Sequence, residues 1–429
     1  MKKWGGVVLI GLVGLITVNL WVMSKSDPGI ILKTPWLSLG QITALLGASF
    51  LAVNYVLSAR LREVERVFGG LDKMYKVHRT TGGLGFILVV YHPIFLAANV
   101  LSFHSPAWNY FLPSAELSYT FGVVALYLFA TLITLTIYAK LPYRIWKLTH
   151  IWMGLPLLFV GLHVWFIDSD ISRYMPLRFW IIGLVAVAGA AFVWKRFFYT
   201  KFGPHYSYRA KSVRQLGTVT ELELAAAGAH LHFEPGQFVF VSIQNDAVGR
   251  EKHPFSISSA PGEPELRLSI KSLGDYTARL PLVKAGDEVV VYGPYGYFGE
   301  KAWRDDKDQV WVAGGIGITP FLSFVHYRSA HPSDLPRATF YYTTRSMKDA
   351  PYADEVAREA DPGLRFYHHR SDEKGFLTAS LIEKQTGDLR HKRVFLCGPK
   401  GMMDNMADQF RKHGVPARDI IFEDFSFLT

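Results

Sequence analysis

Apolar and polar positions divide this chain into two regimes. Up to about residue 200, long apolar runs are separated by short basic loops, and from about residue 205 onward the two kinds of residue alternate at short range. Six runs reach the roughly 20 residues needed to cross a hydrocarbon core about 30 Å thick. They are Trp4 to Met23, Trp36 to Leu57, Thr80 to Leu101, Leu117 to Tyr138, Ile151 to Ile167 and Phe179 to Trp194, and none holds Asp, Glu, Lys or Arg before its terminal residues. The pattern predicts six membrane-spanning helices. From Tyr206 to about Pro294, "YSYRAKSV", "TVTELEL", "QFVFVSI", "PFSISS", "ELRLSIK" and "EVVVYGP" read as short strands with little helix between them, which predicts a small antiparallel barrel. From Gln309 the order becomes strand, glycine turn, helix, in "QVWVAGGIGITPFLSFVHYRSA" and again up to "HKRVFLCGPKGMMDNMADQFRKHG", which predicts a parallel sheet covered by helices. The expected architecture is a multidomain membrane protein: a six-helix all-α bundle over 1–203, an antiparallel β-barrel over 204–303 and a Rossmann-like α/β domain over 304–429.

Charge adds an orientation. Fourteen Lys and Arg residues, from Lys2 to Lys201, fall in the N-terminal tail and the loops of one side, against Lys25, Lys33, Arg173 and Arg178 on the other. Basic short loops stay in the cytoplasm, so both termini and the soluble half are expected there, in a cell membrane. The run after Met1-Lys2-Lys3 is long and no A-x-A-like site follows it, so it reads as a retained helix rather than a cleaved signal. The formal charge of +10 has no aromatic-interleaved basic stripe of the kind that binds nucleic acid. A single cysteine, Cys397, excludes an intrachain disulfide and a four-thiolate iron-sulfur cluster.

Candidate chemistry begins in the apolar runs. Of 15 histidines, only His78, His92, His150 and His163 lie within or at the ends of those runs, on the third and fifth, which cross in the same direction. His92 is fourteen residues beyond His78 and His163 thirteen beyond His150, so at about 1.5 Å per residue the second member of each lies about 20 Å deeper. One intramembrane histidine often only links helices, but two pairs matched in depth ask for more. Zinc wants four donors at one point, whereas two imidazoles facing across a gap suit the axial positions of a haem that carries electrons. Fourteen residues at about 100° fall within about 40° of four turns, but thirteen leave His163 about 140° from His150. The fifth helix is therefore expected to depart from α geometry near Gly154 and Pro156, by a kink or a π-bulge.

These spacings resemble the ferric reductase transmembrane domain shared by NADPH oxidases, ferric-chelate reductases and their bacterial relatives. The resemblance implies an inner haem b on His78 with His150 and an outer haem b on His92 with His163. Arg79, Arg60 and Arg144 lie near the inner level, where they could meet haem propionates or serve as ordinary loop charges.

In the soluble half, Gly314, Gly315 and Gly317 of "GGIGITP" let backbone approach a pyrophosphate, with Thr319 expected as N-cap and Pro320 at the first helical position. Together with "HPFSISSAP", "IKSLGDYT" and "CGPKGM", this turn resembles the ferredoxin-NADP reductase fold in the version carried by NADPH oxidases and ferric reductases. By that likeness His253, Pro254, Phe255 and Ser256 line a flavin ring, with Ser256 near its reactive nitrogen. Lys271, Gly274, Tyr276 and Thr277 belong to the loop expected to cradle the FAD pyrophosphate. Cys397, Gly398 and Pro399 would shape the nicotinamide pocket. The ending "FEDFSFLT" resembles the family's aromatic terminus, with Phe425, or failing it Phe427, covering the flavin. At the end of the second nucleotide-domain strand, "TTRSMK" carries Arg345 where an acidic residue would read a ribose hydroxyl, which favours NADPH over NADH.

The combined expectation is a transmembrane oxidoreductase carrying electrons from cytosolic NADPH through FAD and two haems to oxygen, giving superoxide. Ferric-chelate reduction, reduction of an exported redox protein, and a membrane-anchored flavin reductase without haem are the alternatives. No EF-hand loop or long insertion points to an obligate activator, and lipid is the expected surrounding.

Overall fold

The structure is a computed structural model and describes residues 5–139, 141, 143–303, 307–331 and 335–422. It falls into two compact units, Met1–Gly203 and Pro204–Thr429.

Among the described residues of the first unit, six helices are long and apolar enough to cross a membrane. They are α1 (Gly5–Met23), α2 (Pro35–Ser58), α3 (Leu71–Leu101), α4 (Leu117–Ile137), a fifth span in two pieces, α5 (Tyr143–Ile151) and α6 (Gly154–Phe166), and α7 (Met175–Val193), which runs on through a π-helical turn, Trp194–Phe198. Helix α3 starts nine residues before the apolar run expected at Thr80. Leu71 and Met74 are fully buried there while Lys73 is exposed, so an amphipathic turn extends the helix beyond its apolar stretch. Further along α3, Leu84, Ile87, Tyr91 and Ile94 form an exposed apolar stripe, the face that hydrocarbon would cover.

Helices α2 and α3 pack through glycine. A Cβ on Gly47 would stand 2.7 Å from Cγ2 of Val89 and 3.2 Å from the Gly85 carbonyl oxygen; one on Gly85 would meet Leu51 at 2.9 Å and the Gly47 carbonyl at 3.3 Å. Close approach of this kind is how helices associate where apolar burial offers no advantage over lipid.

The second unit holds two sheets. Strands β1 (His205–Leu216), β2 (Val219–Ala226), β3 (Phe238–Ile243), β4 (His253–Ser256), β5 (Glu265–Lys271) and β6 (Glu288–Tyr295) pair antiparallel in the order β4-β3-β6-β1-β2-β5. A bridge from Ile257, just past β4, to Leu268 of β5 joins the two edges and closes the barrel. Its core holds Leu222, Leu224, Val239, Val241, Leu268 and Val291.

Strands β7 (Gln309–Gly314), β8 (Ala338–Thr344), β9 (Leu364–Arg370), β10 (Arg393–Cys397) and β11 (Ile420–Phe422) form a parallel sheet in the order β11-β10-β7-β8-β9. Every residue of β7 is buried, as a strand covered on both faces requires. Trp311, Phe321, Phe324 and Phe395 fill one face, and Val310, Leu396, Met403 and Phe410 the other. The helices α8 (Thr319–Ala330), α9 (Ala353–Glu359), α10 (Ala379–Thr386) and α11 (Lys400–Lys412) lie along this sheet's connections. Helix α8 begins one residue earlier than expected: a 3₁₀ turn, Gly315–Ile318, leads straight into it, so Thr319 is already helical and its hydroxyl donates to the Ile316 carbonyl at 3.1 Å instead of capping.

Replacing Gly47 or Gly85 by Leu is expected to drive α2 and α3 apart and lower the thermal midpoint of the detergent-solubilised protein by several degrees. Gly83→Leu, at a position where a Cβ meets nothing within 4 Å, should leave it unchanged.

Candidate functional site

The four membrane histidines meet in two pairs. Ring centroids of His78 and His150 are 6.3 Å apart with planes at 67°, and those of His92 and His163 are 6.5 Å apart at 60°. Two imidazole nitrogens bound at about 2 Å on opposite sides of one metal ion would set their ring centroids roughly 6 Å apart. Among the described residues no group of three or more His, Cys, Asp or Glu converges on a point, so the protein offers each such ion two donors. The remaining positions would have to come from a cofactor that brings its own ligands.

Each imidazole is turned by its far nitrogen. Nδ1 of His78 lies 3.1 Å from the Asn54 carbonyl oxygen, Nδ1 of His92 2.8 Å from that of Gly40, and Nδ1 of His163 2.7 Å from that of Ser118. A carbonyl only accepts, so Nδ1 carries the proton and Nε2 keeps the lone pair that a metal takes. Nδ1 of His150 lies 3.4 Å from the Thr136 hydroxyl oxygen. Asn54 follows Gly40 by fourteen residues, as His92 follows His78, with Gly47 and Gly85 midway, so one antiparallel register of α2 on α3 serves both levels. Gly122 does the same for α4: a Cβ there would stand 3.0 Å from Nδ1 of His163.

The fifth span breaks where the thirteen-residue interval demands it. Between α5 and α6, the amides of Trp152, Met153 and Leu155 donate to the carbonyls of Thr149, His150 and Trp152, an i to i−3 pattern that overwinds the backbone toward the four turns His163 needs. Pro156 has no amide to offer Trp152, and the Tyr55 hydroxyl donates to the Met153 carbonyl at 2.6 Å. The departure is a 3₁₀ break rather than a π-bulge. Of the nearby cations, Arg60 donates from Nε to the Tyr75 hydroxyl at 2.8 Å, with the Tyr75 ring against His78, while Arg79 is exposed.

In the parallel sheet the chain runs outward from β7 through β8 to β9 and returns to β10 on the other side of β7, so β7 and β10 flank the switch point where nucleotides bind. Their two loops interlock through glycine. A Cβ on Gly317 would stand 2.3 Å from the Cys397 carbonyl oxygen, and one on Gly314 2.9 Å from Pro399 Cδ; Gly315 adopts φ +53°, open to glycine. Gly398 packs against Gly314, with a Cβ there reaching its Cα at 3.0 Å. Cys397 itself is buried in the aromatic face of the sheet. Arg345, exposed just past β8, has no carboxylate partner among the described residues.

In the barrel, His253, Pro254, Phe255 and Ser256 are the four residues of β4, all half-buried. The His253 imidazole stacks on Tyr276 at 3.9 Å. The Thr277 hydroxyl accepts from the amides of Leu273 and Gly274 at 2.9 and 3.0 Å, so it shapes the loop that follows Lys271 at the end of β5. Phe425 and Phe427 lie outside the described residues.

Barrel and nucleotide domain are joined by a cluster that sequence reasoning missed. His326 of α8 bonds Glu263 of the β4–β5 turn through Nδ1 at 3.0 Å and Glu355 of α9 through Nε2 at 2.8 Å, and Arg267 of β5 donates to Glu355 at 2.7 Å. Burial alone would lower the His326 pKa, but its two carboxylate partners raise it to about 9, and in return Glu355 is held down at about 2 against its own burial.

Comparison with known proteins agrees with these parts. Residues 43–161 match the "Ferric reductase like transmembrane component", 207–298 an "FAD-binding domain" and 311–408 an "Oxidoreductase NAD-binding domain". The chain is 32% identical over 203 residues to a probable dihydroorotate dehydrogenase B (NAD(+)) electron transfer subunit of Methanopyrus kandleri, covering 44% of this chain and 68% of the relative. It is 28% identical over 205 residues to dual oxidase 2 of Sus scrofa, covering 42% of this chain and 13% of that much longer protein. A flavohemoglobin structure from Malassezia yamatoensis, at 17% identity and a TM-score of 0.52, covers 93% of this chain and 98% of its own, a likeness of fold alone.

The clasp predicts a pH dependence. Because the folded His326 pKa is raised, its contribution to stability is full below about pH 6.5 and is lost as pH climbs through about 9. The thermal midpoint of the soluble half should fall over that window in the wild type, with that component absent in His326→Gln.

Proposed function

We propose that this chain, whose membrane part matches the ferric reductase family and whose remainder matches FAD- and NAD-binding domains, passes electrons from cytosolic NADPH to oxygen on the outer side of a cell membrane. It is a multi-pass membrane protein and an NAD(P)H-dependent oxidoreductase with FAD-binding and NAD-binding domains. The finer reading assigns an inner b haem to His78 and His150 and an outer one to His92 and His163. The observation that carries it is the geometry of the two imidazole pairs, each with centroids 6.3 or 6.5 Å apart and each Nδ1 engaged elsewhere. Bound FAD would supply the exchange between a two-electron hydride and single electrons, and the haems single-electron carriage through the bilayer. The overall balance is one NADPH and two oxygen molecules giving NADP⁺, one proton and two superoxide ions.

The protein's own residues hold and orient. His253 to Ser256 would line the flavin ring, with Ser256 as a donor to it, and the loop of Lys271, Gly274, Tyr276 and Thr277 would hold its pyrophosphate. The interlocked loops of Gly314, Gly315 and Gly317 with Cys397, Gly398 and Pro399 would receive the nicotinamide nucleotide at the start of α8, opened by Thr319 and Pro320. Phe425, outside the described residues, is the ring that would cover a bound flavin. Arg345 would pair the 2′-phosphate that distinguishes NADPH from NADH. The bias of basic loops favours a cytoplasmic location for both termini and the dehydrogenase half, and constitutive activity is the expected default.

Purified protein is expected to show two b-type haems per chain in a dithionite-reduced minus oxidised spectrum, and one in the His92→Ala, His163→Ala double variant. With NADPH alone it should reduce cytochrome c in a reaction that superoxide dismutase inhibits. Haem present with dismutase-insensitive reduction would move the acceptor to a ferric chelate or an exported protein; absence of haem would leave only the flavin reductase. Arg345→Ala should raise KM for NADPH at least tenfold, a loss of more than about 1.4 kcal/mol of binding, and leave KM for NADH unchanged.

A further inference from the structure

Three of the four membrane imidazoles give their Nδ1–H to a backbone carbonyl at 2.7 to 3.1 Å; His150 does not. Among the described residues its Nδ1 reaches only the Thr136 side chain, at 3.4 Å. That hydroxyl already donates its own proton to the Leu132 carbonyl at 2.7 Å, so toward His150 it acts as a weak acceptor. What holds the ring is instead Trp146, one helical turn earlier on α5, stacked on His150 at 5.2 Å with planes 8° apart. The indole is fixed to the same residue, donating from Nε1 to the Thr136 carbonyl at 3.3 Å. Thr136 thus sets both the hydrogen bond and, through Trp146, the plane of this one ligand.

We propose that Thr136 and Trp146 are positioning residues that make the inner site electronically different from the outer one, placing the inner haem at the higher midpoint potential. The inference rests on the haem assignment proposed above. An imidazole whose Nδ1–H is shared with a strong acceptor gains imidazolate character and donates more to iron, which favours the ferric state and lowers the potential. The outer pair has two short carbonyl bonds, 2.8 and 2.7 Å, and the inner pair one at 3.1 Å and the weak hydroxyl contact. By this effect electrons gather at the inner level before crossing.

The test is a potentiometric titration of the full-length protein followed in the haem Soret band, on the wild type and on the His92→Ala, His163→Ala variant, which isolates the inner component. The inner component should titrate at the higher potential. Thr136→Val should shift it further upward and leave the outer component in place, with Thr136→Ser restoring the wild-type value. Trp146→Leu should alter the low-spin EPR signal of the inner haem, whose ligand planes now stand at 67°, and Trp146→Phe should preserve it. Two haems with the inner component at or below the outer, or an inner component indifferent to Thr136→Val, would overturn the inference and leave the haem assignment standing. Fewer than two haems in the wild type would overturn both.

Discussion

An N–H group in hydrocarbon has no water to turn to, so each must find an acceptor inside the protein. For the histidines of this membrane bundle that requirement decides the architecture. Each imidazole has two nitrogens, and only by paying out one proton to a neighbouring helix does it present the other, bare, to its partner across the gap. The acceptors are mostly carbonyls already engaged in helical bonds, and they are reachable only where the helix surface carries no bulk. Hence the small residues: Gly47 and Gly85 bring α2 onto α3, and Gly122 opens α4 to His163. Packing and chemistry are the same constraint seen from two sides.

Much of this was legible from residue order, and the reason is arithmetic. An α-helix advances by a fixed angle, so a thirteen-residue interval between two histidines on one face calls for a deviation, and Gly154 with Pro156 marked its place. The break lies just before them, at Trp152 and Met153, in 3₁₀ form. The acceptors were not legible, because a backbone carbonyl has no sequence signature: nothing distinguishes the oxygen of Gly40 or Ser118 from any other until the helices are in register. The same holds for Trp146, whose stacking on His150 depends on how a short amphipathic segment enters the bundle.

In the soluble half, periodicity located the strands well because barrel and sheet cores are lined by alternating or continuous apolar residues. The three-residue strand β11 escaped, being too short for any period to show, and the start of α8 moved by one residue because a glycine turn can coil into a helix without an extended cap. The His326 clasp escaped for a different reason. Glu263, Arg267, His326 and Glu355 are spread over more than ninety positions of chain and become one charge system only when β5, α8 and α9 are packed together. Local pattern finds elements; it does not find charges that meet through the fold.

The lone thiol of the chain closes the picture in another respect. Cys397 is sealed into the aromatic face of the sheet at 4% exposure, and the sequence contains no other cysteine. Thiolates are the side chains that partially reduced oxygen attacks first, and attack follows exposure. If the chain hands single electrons to oxygen as proposed, it carries almost nothing of this kind for its own product to damage, a tolerance obtained by omission rather than by any repair device.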